Sequence, residues 1–226
     1  MLFVYFKLNF NYLIHANNVL NIMAKRVTSK VVGLGSKGFT HAHNGEDNEP
    51  ITLRKDHITC VVQAHVDLTN AWLGAVKRFY NKQQNEYKLL DSLQDCMMNI
   101  GAMIFTPKYA TYDVNTKDVI NNLLARLDYV DSQLEATEFI KYGADEISSY
   151  WGLLTTQVRV LETQWVKWMN EASIVDSKRL QYELQEELIN LISKWSYSEC
   201  RYYCKRSGLI VNTWESNYDN KDVTII

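Results

Sequence analysis

Between Val62 and Trp195 the apolar residues return at intervals of three and four, in five separate runs. That interval is the 3.6-residue turn of an α-helix seen in one dimension, and it puts each run on a single face. The runs are Val62, Val66, Thr69, Leu73 and Val76; Leu90, Leu93, Met97, Ile100 and Ile104; and Val119, Leu123, Leu127, Val130 and Leu134. Two more follow: Ile147, Trp151, Leu154, Val158, Leu161, Trp165 and Trp168, then Leu180, Leu184, Leu188, Leu191 and Trp195. They predict helices over Thr59–Tyr80, Glu86–Ile104, Asp118–Thr137, Asp145–Asn170 and Ser177–Tyr197. Only two prolines and nine glycines occur in 226 residues, so little in the chain interrupts such helices. Pro107, in "FTPKYATYDVNT", marks the break after the second run, and Asn115 or Thr116 is placed to cap the third.

Five stripes of this length must cover one another, and the economical arrangement is all-α, a five-helix up-and-down bundle. A chain of this size is sufficient for one such core. The expected organisation is a leader or disordered extension over 1–29, a helical bundle over 30–200 and a C-terminal tail over 201–226. The segment "VVGLGSKGFTHAHNGEDNEPIT" reads as loop, and within the tail Leu209–Val211 is either a short strand or loose chain.

The formal charge is -2 and no dense Lys/Arg stripe occurs, so nothing recruits nucleic acid. The apolar run at Met1–Phe6 is broken by Lys7 and is too short to span a membrane. No acid precedes Glu46, while Lys7, Lys25, Arg26, Lys30 and Lys37 are basic. That pattern fits a mitochondrial presequence; a start upstream of the true one at Met23 is the plain alternative, with a cytoplasmic protein. Cys200 and Cys204 lie one helical turn apart, yet no second Cys or His pair completes a metal site, so no metal is expected. Reduced thiols in an intracellular compartment are the simpler account.

Several segments carry a finer pattern. "LRKDHITCVVQAHVDLTNAWLGAV" keeps Val66, Asp67 and Asn70 of a Val-Asp-Glu-Leu-Asn motif, and "LLDSLQDCMMNIGAMIFTP" is similar to a helix ending in Asp-Leu-Gly-Ala-Glu-Leu. "VVGLGSKGFT" stands at the place of a Thr-Arg-Thr-Gly-Asp-x-Gly-Thr loop, and "FIKYGADEISSYWGLLTTQVRVLETQW" follows a Leu-Pro-Gly-Gly turn and an arginine-rich helix. In order and spacing, over about residues 30 to 196, the chain resembles the ATP:corrinoid adenosyltransferases of the trimeric bundle type.

The resemblance implies a homotrimer with sites between subunits, or a hetero-complex, and a transfer of adenosyl from ATP to reduced cobalamin. The triphosphate is the leaving group, so donors must meet its growing charge. In the loop Gly35, Lys37, Gly38 and Thr40 match or are tolerated as cofactor-binding residues, together with Asn70 on the first helix. Gly33, Leu34 and Ser36 replace the basic residue, a threonine and the aspartate. A glycine-rich turn can still form an anion nest, and Lys37 can equally be a solvated loop lysine.

The resembled helix reads Ala-Arg-Thr-x-x-Arg-Arg-Ala-Glu-Arg. Here Thr155, Val160 and Thr163 replace three of its four arginines, while Arg159 and Glu162 remain. Asp67, Arg159 and Glu162 are thus the candidate catalytic residues. Arg159 and Glu162, three apart, could form a salt bridge, a structural contact rather than a catalytic one; Asp67 could be a surface or capping carboxylate. His65 stands for a small threonine, either extending into the pocket or buried and hydrogen-bonded. In the last helix Tyr182, Glu183 and Glu186 replace an asparagine, an arginine and an aspartate.

Losing one donor to a developing anion costs about 2.7–4 kcal/mol in a known case. The expectation is therefore a degenerate adenosyltransferase-like protein acting as a structural or assembly subunit, with Trp151, Trp165 and Trp168 as core or interface anchors. The alternative is an active ATP:cob(I)alamin adenosyltransferase using ATP with Mg and cobalamin.

Overall fold

The fold is given by a computed structural model, which describes residues 39–43, 50–105, 116–134, 142–171 and 176–208. Five helices appear among them, as the stripes require: α1 Ile58–Lys77, α2 Asn85–Phe105, α3 Thr116–Ser132, α4 Glu146–Glu171 and α5 Asp176–Arg206. The expected leader, the residues Gly35, Lys37 and Gly38, and the segment Leu209–Val211 lie outside the described residues.

The segment read as loop departs from expectation. It contains β1, Phe39–His43, and β2, Pro50–Arg54, paired antiparallel with Phe39 opposite Arg54 and His43 opposite Pro50. Pro50 sits at the first position of its strand, where a missing N–H is tolerated. The hairpin leads into α1 through His57, whose side chain accepts from the Thr59 N–H at 3.2 Å and caps the helix.

Helix α4 starts with a reciprocal cap. The Asp145 carboxylate accepts from the Ser148 N–H at 2.7 Å, and the Ser148 hydroxyl accepts from the Asp145 N–H at 2.9 Å. Helix α3 ends at Ser132, short of the expected Thr137, in tight turns closed by Gln133 and Leu134 on the carbonyls of Val130 and Asp131. Helix α5 runs past the expected end at Tyr197 to Arg206. Its buried face continues through Trp195, Glu199 and Ser196, Cys200 and Cys204, so small polar side chains and thiols carry on the stripe that leucines began. It stops at Gly208, whose φ of 66° reverses the chain while its N–H reaches the Lys205 carbonyl at 3.2 Å.

The predicted stripes are the core. Val62, Leu73, Val76, Leu90, Leu93, Leu123, Leu154, Val158, Leu161 and the indoles of Trp151, Trp165 and Trp195 are completely enclosed. Helices α1, α2, α4 and α5 pack through long contacts of α1 with α2 and α4, and of α4 with α5; α3 lies on α5. Trp151 meets Trp195 edge to face at 4.7 Å, joining α4 to α5 at the centre. Among the described residues no helix is long and apolar enough to cross a membrane.

Candidate functional site

Helices α1 and α4 lie side by side, and they carry most of the described candidate residues. Asp67 projects from the exposed side of α1, and its carboxylate accepts from Gln63 Nε2 at 3.0 Å. Partial desolvation pushes the Asp67 carboxyl above the ordinary value, and the Gln63 hydrogen bond opposes that shift. Asn70, one turn on, is half-buried, with its side-chain oxygen enclosed and without a partner. Its backbone carbonyl accepts from Gln94 Nε2 of α2 at 3.1 Å. Thr40 is half-buried in β1, opposite Leu53.

On α4, Arg159 is exposed and rests over the Tyr197 ring of α5 at 5.4 Å. The expected ion pair with Glu162 is absent: no hydrogen bond or salt bridge joins the two. The aromatic ring draws the guanidinium towards α5, away from the neighbouring turn. None joins either residue to Asp67 or Asn70. The structure thus places Asp67, Asn70, Arg159 and Glu162 on two adjacent helices without bringing their polar atoms together, and Thr40 apart in β1.

At three positions where the resembled helix carries arginine, this chain has uncharged side chains. Thr155 is wholly buried, and its hydroxyl donates to the Trp151 carbonyl at 2.8 Å. Thr163 is exposed and donates to the Arg159 carbonyl at 3.0 Å, and Val160 is 41% exposed. Each hydroxyl is bound to its own helix and offers no new cation. Around them the surface is apolar, since Leu68 of α1 is 45% exposed and Leu153 of α4 is 46% exposed. His65 is half-buried between the two helices. Gln157 Nε2 reaches both its Nδ1 and its carbonyl, each at 3.2 Å, which makes Nδ1 an acceptor and assigns the ring proton to Nε2.

In α5 Tyr182 is buried between Trp165 and Trp168, with its hydroxyl donating to the Met103 carbonyl at 3.5 Å, while Glu183 is exposed. The extension of α5 adds Arg201, whose guanidinium lies 5.9 Å from the same Tyr197 ring that Arg159 covers. That cation was missed because the helix was expected to end at Tyr197; the thiols at Cys200 and Cys204 were the signal for its continuation. Among the described residues no group of three or more His, Cys, Asp or Glu could hold a metal. Cys200 donates its thiol to the Ser148 carbonyl at 3.2 Å, and burial pushes its pKa well up, which makes it a packing residue.

A second polar centre, which no local pattern announced, lies near the ends of α2, α3 and α5. Glu199 is fully enclosed, and its carboxylate accepts from Arg126 Nε at 2.6 Å, from Arg126 Nη2 at 3.2 Å and from Trp195 Nε1 at 3.0 Å. Arg126 also reaches Glu86 at 3.0 Å. Burial holds the Glu199 carboxyl above its ordinary value despite the pull of Arg126 and Trp195. Beside it, Trp151 Nε1 donates to the Tyr80 hydroxyl at 3.3 Å, which donates to Tyr203 at 2.9 Å.

The bundle is that of the corrinoid adenosyltransferases. Three solved structures of PduO-type ATP:corrinoid adenosyltransferase from Lactobacillus reuteri are similar to it. A phenylalanine-to-alanine variant complexed with cobalamin and ATP is 21% identical, with a TM-score of 0.58 over 77% of this chain and 94% of that one. A phenylalanine-to-histidine variant with the same ligands is 22% identical, with a TM-score of 0.59 over 80% and 92%. An arginine-to-lysine variant complexed with ATP is 22% identical, with a TM-score of 0.60 over 77% and 95%. The profile of the cobalamin adenosyltransferase family matches residues 31–203, and the chain belongs to that family. No curated protein matches.

The described α1–α4 surface carries little positive charge. Arg159 is the one cation of α4 between Ser148 and Val166, and the same two helices expose Leu68, Leu153 and Val160. The Arg159 guanidinium is engaged with the Tyr197 ring, which Arg201 of α5 also approaches.

Proposed function

We propose that this chain is a family member that has lost ordinary ATP-dependent catalysis and serves as a structural or assembly subunit. The observation that carries the reading is the character of the α1–α4 face. Where the resemblance puts a cationic site, Thr155 is enclosed in the core and Val160 is exposed, as are Leu153 two turns earlier on α4 and Leu68 on α1. Uncharged apolar side chains at such exposure suit a protein neighbour better than a nucleotide. The partner is a further copy of the chain, as in a homotrimer, or a different subunit in a hetero-complex.

Titration calorimetry and thermal unfolding with MgATP test this. The expected result is no saturable heat at millimolar MgATP and no rise in melting temperature, since a ligand that binds only the folded state must raise it. Saturable binding, with a spectral change of cob(II)alamin on addition of the protein, would favour the active adenosyltransferase instead. That alternative draws its support from Arg159 and Arg201 meeting at Tyr197 and from the unpartnered side-chain oxygen of Asn70.

A further inference from the structure

Helix α3 is attached differently from the other four. It rests on α5 and scarcely touches α2. Between α2 and α3 lies an open groove of about 520 Å³, lined by Asn85, Glu86, Leu89, Asn122, Arg126 and Tyr129 among others. The first half of α3 is anchored by apolar side chains: Val119, Ile120 and Leu123 are buried. From Leu124 to Tyr129 no side chain is fully buried, and Leu127 is only half-covered.

One apolar side chain of the second half, Val130, is wholly buried, and the rest of that half is held by Arg126. Its guanidinium spans three helices, binding Glu199 of α5 with two nitrogens and Glu86 of α2 with a third. It also lies over the rings of Tyr129 at 5.1 Å and Tyr202 at 5.9 Å. Lys205 adds one contact, to the Gln133 carbonyl at 2.9 Å.

Two kinds of attachment respond differently to opening. Lifting an apolar face away from a core exposes it to water at full cost. Lifting Arg126 away from Glu199 returns both charges to water, and rehydration offsets much of the lost attraction. The segment with few buried apolar side chains and a charged anchor is therefore the one that separates most readily.

We propose that the second half of α3 is a cover over α5 and that Arg126 is its clasp. That half lifts while the first half of α3 stays packed with α1, α2, α4 and α5, uncovering Glu199, Trp195 and Tyr202 and merging that surface with the α2–α3 groove. Arg126 is a positioning residue, and Glu199 is the group that makes its loss felt. With α3 in place and Arg126 gone, a carboxylate would stand enclosed without its cation, so the closed state would lose ground to the open one.

Hydrogen exchange on the full chain, resolved by peptide mass spectrometry, tests this. In the unaltered protein the amides of the second half of α3 should exchange faster than those of α1 and α4. Arg126→Met should speed exchange there on the order of a hundredfold, leaving α1 and α4 within about threefold. Adding Glu199→Gln to Arg126→Met should restore most of the protection, because the enclosed group no longer carries charge. Should Arg126→Met fail to fold, Arg126→Lys keeps the charge but not the paired hydrogen bonds, and should speed α3 alone by a smaller factor. Equal acceleration of α1, α3 and α4, or no rescue by Glu199→Gln, would overturn the proposal.

Discussion

Glu199 and Thr155 show how one enclosed side chain can govern what the fold tolerates. Glu199 has its proton affinity raised by burial, so the folded chain keeps that proton to a higher pH than the unfolded chain, where glutamate releases it near its ordinary value, about 4.3. As pH rises from that ordinary value through the folded one, the folded state binds the extra proton and stability falls. Urea unfolding across this window should show that decline, and Glu199→Gln should flatten it. A Glu199→Gln protein with an unchanged slope would place the titration elsewhere. Thr155 makes the complementary case. Thr155→Arg would restore a cation that the family pattern carries, but here the site is wholly enclosed, with its hydroxyl bonded to the Trp151 carbonyl. The expected outcome is a loss of several kcal/mol in chemical unfolding and no gain of MgATP binding by calorimetry.

At the scale of elements, helix ends were legible where a cap has a local signature. Asp145 and Ser148 exchange hydrogen bonds three residues apart, and α4 begins within a residue of its expected start. Asp145→Ala should cost about 1 kcal/mol, read as a lowered denaturation midpoint with an unchanged slope. Where the pattern is not apolar, the sequence misleads. The last turns of α5 read "SYSECRYYCKR", in which Ser196, Cys200 and Cys204 face the core as small side chains rather than leucines. The β1–β2 hairpin escaped for a related reason: its strands are short and carry histidine and proline instead of a clean alternation. The stripes themselves were informative: the buried faces of α1, α2 and α4 follow the predicted residues, with Ile147 partly covered.

For the whole molecule, the bundle follows from periodicity, whereas the Arg126–Glu199–Glu86 centre could not be foreseen. Its members come from three helices, Arg126 and Glu199 are 73 residues apart, and nothing in either neighbourhood demands the other. The candidate site was legible only in part. Sequence pattern marked Arg159, Glu162, Asp67 and Asn70, but only the folded chain shows Arg159 drawn to Tyr197 and Thr155 turned inward. Val160→Arg should change the unfolding free energy by no more than about 0.5 kcal/mol, since the side chain is exposed, yet lower the mass of any assembly seen by light scattering. An unchanged mass would remove the α1–α4 face from the interface.

The indole of Trp195 stands 3.0 Å from a carboxylate that carries charge only while unprotonated, and edge-on to Trp151. That charge sets an electric field across the ring, and the colour of tryptophan emission follows the field and the water around it. The molecule therefore contains its own optical gauge. Trp195 should redden when Glu199 meets water, while Trp165, enclosed in the opposite half of the core, keeps its hue.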